Sequence, residues 1–312
     1  MRTPPLFDFQ KNLSEINNNL SHTIFIFQQF EIDNKNLIKS SPEKFTTEHY
    51  LDNDYSHQFN VRFKDISEQA QKSLDYIYDT FFVFTNTQFE VYLRDAYLFV
   101  KNFSSKKLGE PPESKVYETV LEQLNINDAD IGDLFVSTYQ YFVHRRNAIM
   151  HRDKSKRLHG VMEDLIKGRD YKGKKNTSNR RKNEKLKENQ LNGNELNLQW
   201  KQYRETLAKE KKKGYKIETF DFAKRDISSF ILNDLFDIFN FYRLYSSLID
   251  KLIMKNFNTD ELTEYCKKRY LEKHGSKKLS LAKFKFLFCL ESKFSINLKF
   301  TDSELEQIYN GI

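Results

Sequence analysis

The chain has 312 residues, a net charge of +7, 38% hydrophobic residues and 30% charged residues. This length leaves room for one large domain or two smaller ones, and only two cysteines argue against a small disulfide-rich fold. There is no apolar run of about 18 residues and no basic N-terminal region followed by an apolar run. We therefore expect a cytoplasmic protein with neither a membrane span nor a signal peptide.

Turn-forming residues are scarce, whereas aromatic residues are abundant. The chain has 9 glycines and 5 prolines against 28 phenylalanines and 17 tyrosines. This composition favours long helices packed through ring side chains, and it predicts an all-α or mainly α fold. No cysteine and histidine spacing typical of zinc sites occurs, so we expect no metal or other cofactor.

Residues 1–60 are predicted to form a mixed N-terminal extension. Residues 23–27 read Thr-Ile-Phe-Ile-Phe, which favours a short strand, although no partner strand follows. Residues 40–60 are polar and are predicted to form a loop.

Between residue 65 and the C-terminus, apolar residues recur with helical periodicity in eight separate segments. The first long helix is expected to break near residues 85–87, where polar β-branched residues weaken helix preference. Gly275 is predicted to end a helix, and Thr301 with Glu304 matches a capping box at the start of another. The predicted helices lie at residues 65–103, 115–124, 133–156, 196–213, 222–256, 260–273, 280–293 and 302–310. The apolar period of the first helix includes Phe84 and Val91, which are expected to face the core, and the helix at 196–213 is expected to be exposed and highly charged.

The positive charge is concentrated in one segment. Residues 167–187 contain ten Lys or Arg and two Asp or Glu, so the rest of the chain is close to neutral. One interpretation is a solvated insertion, and the other is a loop that attracts RNA phosphates. The candidate RNA-binding residues are Lys172, Lys174, Lys175, Arg180, Arg181 and Lys182.

The segment 144–153, His-Arg-Arg-Asn-Ala-Ile-Met-His-Arg-Asp, carries the clearest chemistry. At about 100° per residue, an apolar stripe that includes Ile149 and Met150 faces the core, and Arg146 falls in its middle. A guanidinium that faces a core needs a carboxylate, an interface or an anionic ligand, because burying it without a partner costs several kcal/mol.

Two motifs and the order of the helices resemble a HEPN domain of the prokaryotic ribonuclease type linked to phage defence, abortive infection and toxins. The first long helix carries Phe-Glu-x-Tyr-Leu-x-Asp at 89–95, and the later helix carries Arg-Asn-x-x-x-His at 146–151. The resemblance covers about residues 60–256. It implies an antiparallel helical bundle at 61–256 with a basic insertion at about 160–215, followed by a small helical segment at 257–312.

The resemblance implies metal-independent RNA cleavage by the ribose 2′-OH. His151 would be the general acid and base, Arg146 would hold the scissile phosphate, and Asn147 would contact the substrate or orient the imidazole. Glu90 is a candidate partner for Arg146. His144 and Arg145 are candidate auxiliary phosphate contacts.

The resemblance also implies a homodimer with a composite site. Residues five apart lie about 140° apart on a helix, so Arg146 and His151 of one copy do not converge on one phosphate. The alternative is a non-catalytic nucleic-acid-binding or adaptor protein on the same scaffold. The sequence does not identify an antitoxin or sensor partner.

Overall fold

The computed structural model describes residues 2–50, 54–56, 58–103, 108–110, 115–150, 191–224, 230–276, 279–296 and 298–312. In these ranges the protein is mainly α-helical, as predicted, and forms no sheet. None of the described helices is long and apolar enough to cross a membrane. The helices are α1 (Pro4–Ser40), α2 (Ile66–Phe103), α3 (Val116–Gln123), α4 (Asp128–Ile131), α5 (Asp133–Met150), α6 (Gly193–Lys209), α7 (Leu232–Met254), α8 (Thr259–His274), α9 (Leu281–Ser295) and α10 (Asp302–Asn310).

The strand predicted at residues 23–27 is wrong, because this segment lies inside α1. Thr3 caps the helix by accepting a hydrogen bond from the Leu6 amide at 3.3 Å. Apolar residues then recur every three or four positions as far as Ile24, so one stripe of the helix is buried. This tertiary packing outweighs the local strand preference of residues 23–27. The buried stripe consists of Leu6, Phe9, Leu13, Ile16, Leu20 and Ile24.

Helix α2 is continuous through residues 85–87, where a break was expected. The hydroxyl of Thr85 donates to the Phe81 carbonyl oxygen at 2.8 Å, and that of Thr87 donates to the Val83 carbonyl oxygen at 3.1 Å. These side chains bond back onto their own helix instead of competing with it. The helix therefore spans 38 residues, about 57 Å at 1.5 Å per residue.

Four helices meet around Phe89 of α2. Its ring centroid lies 5.9 Å from Phe9 of α1 and 5.4 Å from Tyr139 of α5. On α7, Tyr242 and Tyr245 lie 5.2 Å and 5.4 Å from the same ring. Such tilted and edge-on ring pairs each contribute about 0.5–1.5 kcal/mol beyond burial, so aromatic packing holds the centre of the bundle together.

Helix α1 runs antiparallel to α7. The Thr3 amide donates to Asp250 Oδ2 at 2.9 Å, and the Thr3 hydroxyl donates to the other oxygen of the same carboxylate. About two turns further along α1, Gln10 Nε2 donates to Ser247 Oγ at 3.1 Å. The start of the chain is thereby fixed to the C-terminal end of α7.

Helix α5 also runs antiparallel to α7. Tyr139 lies 5.5 Å from Tyr245, and Phe142 lies 5.3 Å from Phe241 between ring centroids. Residue numbers therefore increase along α5 as they decrease along α7. This pairing holds α5, which carries Arg146 and is called the motif helix below, inside the bundle.

Helix α6 was predicted to be an exposed, charged helix, and this is wrong for its inner face. Leu196 is fully buried, and Trp200 is 1% exposed and donates to Thr138 Oγ1 of α5 at 3.0 Å. Gly193 begins the helix against the backbone of Phe222, where an added Cβ would lie 2.5 Å from the carbonyl oxygen. The helix therefore packs closely on the motif helix.

Helix α7 begins at Leu232, ten residues later than predicted. The preceding chain is held by Asp237, a 4% exposed residue of α7. Its carboxylate accepts the backbone N–H groups of Glu218, Thr219 and Phe220 at 2.6–2.9 Å. These bonds hold residues 218–220 in a non-helical conformation against α7, directly before the predicted helix start at residue 222.

The three C-terminal helices and their caps are confirmed. Gly275 ends α8 with a φ of 69° and donates its N–H to the Leu271 carbonyl oxygen at 2.8 Å. Thr301 and Glu304 form the capping box of α10. Tyr265 of α8 packs against the end of α2, with its ring 4.7 Å from that of Phe103.

Candidate functional site

Gly132 positions the start of the motif helix α5. Its φ of 96° is favourable only for glycine. Its N–H ends α4 by donating to the Asp128 carbonyl oxygen at 2.8 Å, and its own carbonyl accepts the Phe135 amide at 3.1 Å. Two helices therefore meet at a sharp corner, and the second one carries the Arg-Asn pair at its far end.

The arginine that faces the core is Arg145, and the prediction that assigned this place to Arg146 is wrong. Arg145 is 1% exposed, whereas Arg146 keeps 16% of its side chain exposed. Met150, predicted on the core face, is 59% exposed. The cause is that α5 packs on more than one side, so its buried positions Val136, Ser137, Thr138, Tyr139, Tyr141, Phe142, Arg145 and Ala148 do not form one narrow stripe.

Arg145 lies in an aromatic pocket. Its Cζ lies 4.0 Å from the Phe230 ring centroid and 5.3 Å from that of Phe220, and its Nη1 donates to the Tyr141 hydroxyl at 3.4 Å. Burial raises the pKa of the nearby Asp234 carboxyl, and the Arg145 charge opposes that rise. Arg145 therefore packs inside the fold, and its expected role as an auxiliary phosphate contact stays a prediction.

Arg146 is held from two sides. Its Nη1 donates to Glu90 Oε1 of α2 at 2.7 Å, which forms an ion pair between partly buried side chains. Its Nε and Nη2 donate to Asn147 Oδ1 at 3.3 Å and 3.1 Å. The structure thus brings Arg146, Asn147 and Glu90 together, and Asn147 contacts the guanidinium.

These contacts leave the guanidinium able to bind an anion. An arginine has five N–H donors, and the described contacts to Glu90 and Asn147 occupy three of them. Glu90 offsets the positive charge, so an incoming phosphate would compete with that carboxylate for Arg146. A planar, fixed fork of this kind suits a phosphate or carboxylate ligand.

Buried phenols lie beneath this ion pair. Tyr242 donates to Asn86 Oδ1 at 2.5 Å. Burial raises the pKa of Tyr242 and that of Tyr139, and the Glu90 charge adds to both shifts. Both hydroxyls therefore stay protonated and add no charge beside Arg146, and we call these two residues the phenol floor.

His144 lies one turn before Ala148 on the same helix and is partly buried rather than fully on the surface. Burial lowers the pKa of its imidazole, which favours the neutral form at neutral pH. A neutral ring adds no charge to attract a phosphate. Its proposed auxiliary contact would therefore have to be a single hydrogen bond.

Several predicted site residues lie outside the described residues. These include His151, the predicted general acid and base, and the whole basic segment 167–187. In the ranges with a described conformation, no three His, Cys, Asp or Glu side chains are grouped so that they could hold a metal ion. The predicted RNA-binding residues in this category are Lys172, Lys174, Lys175, Arg180, Arg181 and Lys182.

The solvent side of α2 is unusually apolar beside Glu90. Phe84 and Val91, which periodicity placed in the core, are 47% and 43% exposed, and Tyr76 and Leu98 are 75% and 36% exposed. We call these four residues the α2 stripe. A one-residue difference in register separates this stripe from the buried face, which is why periodicity alone assigned two of its members to the core.

Sequence reasoning missed the phenol floor and a ring-lined cavity in the loop after α1. The floor combines α5 and α7, so no local pattern indicates it. The cavity had a signal, because residues 45–59 contain two phenylalanines, two tyrosines and two histidines. That aromatic density is unusual for a solvated loop.

Comparison with protein-family models, with curated proteins and with solved structures gives no match to this chain. The likeness to HEPN domains therefore depends on the two motifs and the order of the helices. The chemistry of the site is carried by Arg146 and its two contacts.

Proposed function

We propose that this protein is a metal-independent HEPN endoribonuclease, acting in the cytoplasm as a defence or toxin effector on cellular or phage RNA. The observation that carries this proposal is the guanidinium of Arg146. It is fixed by Glu90 and Asn147 on the helix that leads directly to His151.

Arg146 is suited to bind the scissile phosphate. It is partly removed from water, and its orientation is set before the ligand arrives, so charge stabilisation costs little reorganisation. As negative charge grows on the phosphate in the transition state, the guanidinium would bind it more strongly than it binds Glu90. Glu90 and Asn147 act as positioning residues.

In the proposed reaction the ribose 2′-oxygen attacks the adjacent phosphorus. A base takes the 2′-OH proton, the bond from phosphorus to the 5′-oxygen breaks, and an acid protonates the leaving 5′-oxygen. The products are a 2′,3′-cyclic phosphate and a 5′-OH. An imidazole such as that of His151 serves both steps near neutral pH because its ordinary pKa is about 6.5.

A second copy of the chain would complete the site. Residues five apart on an ideal helix lie about 140° apart, so we propose that Arg146 and His151 reach one phosphate from two different copies. The α2 stripe supports this arrangement because it places an uncovered apolar surface beside Glu90. A two-fold interface there would bring two motif helices together.

The test is RNA cleavage in EDTA with mapping of the product ends. We expect 2′,3′-cyclic phosphate ends from the wild type, and a loss of rate of at least about 100-fold in Arg146→Ala and in His151→Ala with folding kept. Arg269→Ala is the matched control, since this arginine is half exposed on α8, away from α5. Cleavage at the wild-type rate by both motif variants would refute the proposal.

A second assay separates the proposal from the adaptor alternative. A non-catalytic binder would lose RNA binding when residues 167–187 are deleted, whereas Arg146→Ala and His151→Ala would behave like the wild type. Expression in cells adds a physiological readout. The proposal predicts growth arrest with the wild type and relief with His151→Ala.

A further inference from the structure

A cavity of about 600 Å³ lies between the C-terminal half of α1 and the loop that follows it. This volume falls in the range of about 300–1,000 Å³ typical of small-molecule sites. Ring side chains form most of its lining. They are Phe30, His49, Tyr50, Tyr55 and Phe59.

The walls of this cavity are held by partly buried hydrogen bonds. Asn34, 5% exposed, donates from Nδ2 to the Phe30 carbonyl oxygen at 2.7 Å and accepts the hydroxyl of Tyr50. On the opposite side, Thr46 Oγ1 donates to the Phe59 carbonyl oxygen at 2.7 Å. The cavity is therefore formed before a ligand binds, which reduces the ordering cost of binding.

Two rings of the lining remain open to solvent. Tyr55 is 71% exposed and Phe59 is 47% exposed. A flat ligand that enters the cavity would cover these surfaces by stacking. Stacking of a base on an aromatic side chain contributes about 1–3 kcal/mol.

The polar groups of the lining define the kind of ligand. Besides the rings, the described lining contributes the hydroxyls of Thr46, Thr47 and Ser56 and no charged side chain. Among the described lining residues none offers a counter-charge, so entry of an ionic group is unfavourable. A flat, neutral ring with hydrogen-donating edges suits the stacking surfaces, and it can donate to Thr47 Oγ1, which itself donates to Asn60 Oδ1 at 2.9 Å.

We propose that this cavity binds a nucleobase, carried either by a free nucleoside or nucleotide or by an unpaired nucleotide of RNA. RNA-binding proteins commonly stack unpaired bases on aromatic side chains. The proposal does not depend on Arg146 or on RNA cleavage, since the cavity is built from α1 and the loop after it.

The test is calorimetric titration of the full-length protein with adenosine, guanosine, cytidine and uridine up to about 1 mM. Tyr55→Ala and Phe59→Ala should each weaken binding by about tenfold, and Tyr55→Phe should keep it because the ring remains. Phe286→Ala is the matched control, an aromatic residue on α9 that is 67% exposed and lies outside both the cavity and the α2 stripe. Circular dichroism of each variant checks that the fold is kept.

A parallel titration uses a short single-stranded RNA and the His151→Ala protein, so that cleavage does not obscure binding. Nucleoside binding that requires Tyr55 and Phe59 supports a site for free nucleotides. Oligonucleotide binding with the same requirement, without nucleoside binding, supports an RNA base as the occupant. The proposal would be overturned if binding in both titrations were unaffected by replacing Tyr55 or Phe59. Binding of choline in place of the nucleosides would also overturn it.

Discussion

Two adjacent arginines should have opposite roles, and this can be tested by replacing each one alone. Arg145 is 1% exposed and surrounded by rings, whereas Arg146 reaches the partly open side of α5. We expect Arg145→Ala to destabilise the fold. We expect Arg146→Ala to leave the fold nearly intact and to abolish RNA cleavage.

The magnitude follows from what each side chain contacts. At 4.0 Å from the Phe230 ring, Arg145 makes a desolvated cation–π contact of about 2 kcal/mol. Its removal also leaves a cavity and deprives the Tyr141 hydroxyl of a partner, at about 1–3 kcal/mol. Relief of the desolvation of the buried charge offsets part of this loss. We therefore expect Arg145→Ala to lower the free energy of unfolding by about 2–4 kcal/mol.

Arg145→Met provides a matched variant, because methionine fills similar space without a charge. Replacing a buried charge with an apolar group of similar volume is often neutral, so we expect a change within about 1 kcal/mol. Arg146→Ala loses a partly exposed ion pair, which should cost about 1 kcal/mol or less.

Urea denaturation followed by circular dichroism measures these free energies, and cleavage of a labelled RNA measures activity. The reasoning would be refuted if Arg145→Ala were as stable as the wild type. It would also be refuted if Arg145→Met kept full stability but lost cleavage as completely as Arg146→Ala, since that would give the buried arginine a direct role.

Three further predictions concern stability and assembly. Burial raises the pKa of Asp250 to about 6, above its unfolded value of about 3.9, so its contribution to stability is present at low pH and is lost as pH rises through about 6. The free energy of unfolding of wild type relative to Asp250→Asn should therefore fall by about 2 kcal/mol from pH 4 to 7 in urea titrations. Asp237→Ala leaves three backbone N–H groups without their acceptor and should lower the free energy of unfolding by about 3–5 kcal/mol in the same assay. Asp237→Asn keeps one accepting oxygen and should cost roughly half as much. Equal losses of stability in the two variants would contradict this prediction. Val91→Glu should weaken self-association at least about tenfold in sedimentation, because it buries a charge in an apolar interface. Leu198→Glu, at an exposed position on α6, is the control. A Val91→Glu protein that sediments like the wild type would exclude the α2 stripe as the interface.

The fold could be predicted from the sequence where a long apolar period runs without interruption. The ends of α2 and of the three C-terminal helices were placed within one or two residues for this reason, although a break was wrongly expected inside α2. Residues 23–27 were misassigned because five residues of strand-forming composition carry less information than the buried apolar period that runs from Leu6 to Ile24. The start of α7 was misplaced because the bonds that hold residues 218–220 to Asp237 are long-range.

The candidate site was predictable in its members but not in its register. Glu90 was suggested as a partner of Arg146, and the two side chains do form an ion pair. The exchange of roles between Arg145 and Arg146 was not predictable, since 100° of helix rotation separates them and the packing of α6 and of residues 220–222 decides which one is buried. Those contacts come from segments 50 to 80 residues away.

The single tryptophan has a practical consequence for studying this protein. Trp200 is 1% exposed, and its indole N–H bonds to Thr138 on α5. Its fluorescence emission should therefore be blue-shifted in the folded protein and should shift to longer wavelength when α6 separates from α5. Because no other tryptophan contributes, this intrinsic signal reports the docking of α6 on α5, while circular dichroism reports the helices together. A fluorescence transition that precedes the circular dichroism transition would show that α6 leaves α5 before the bundle unfolds.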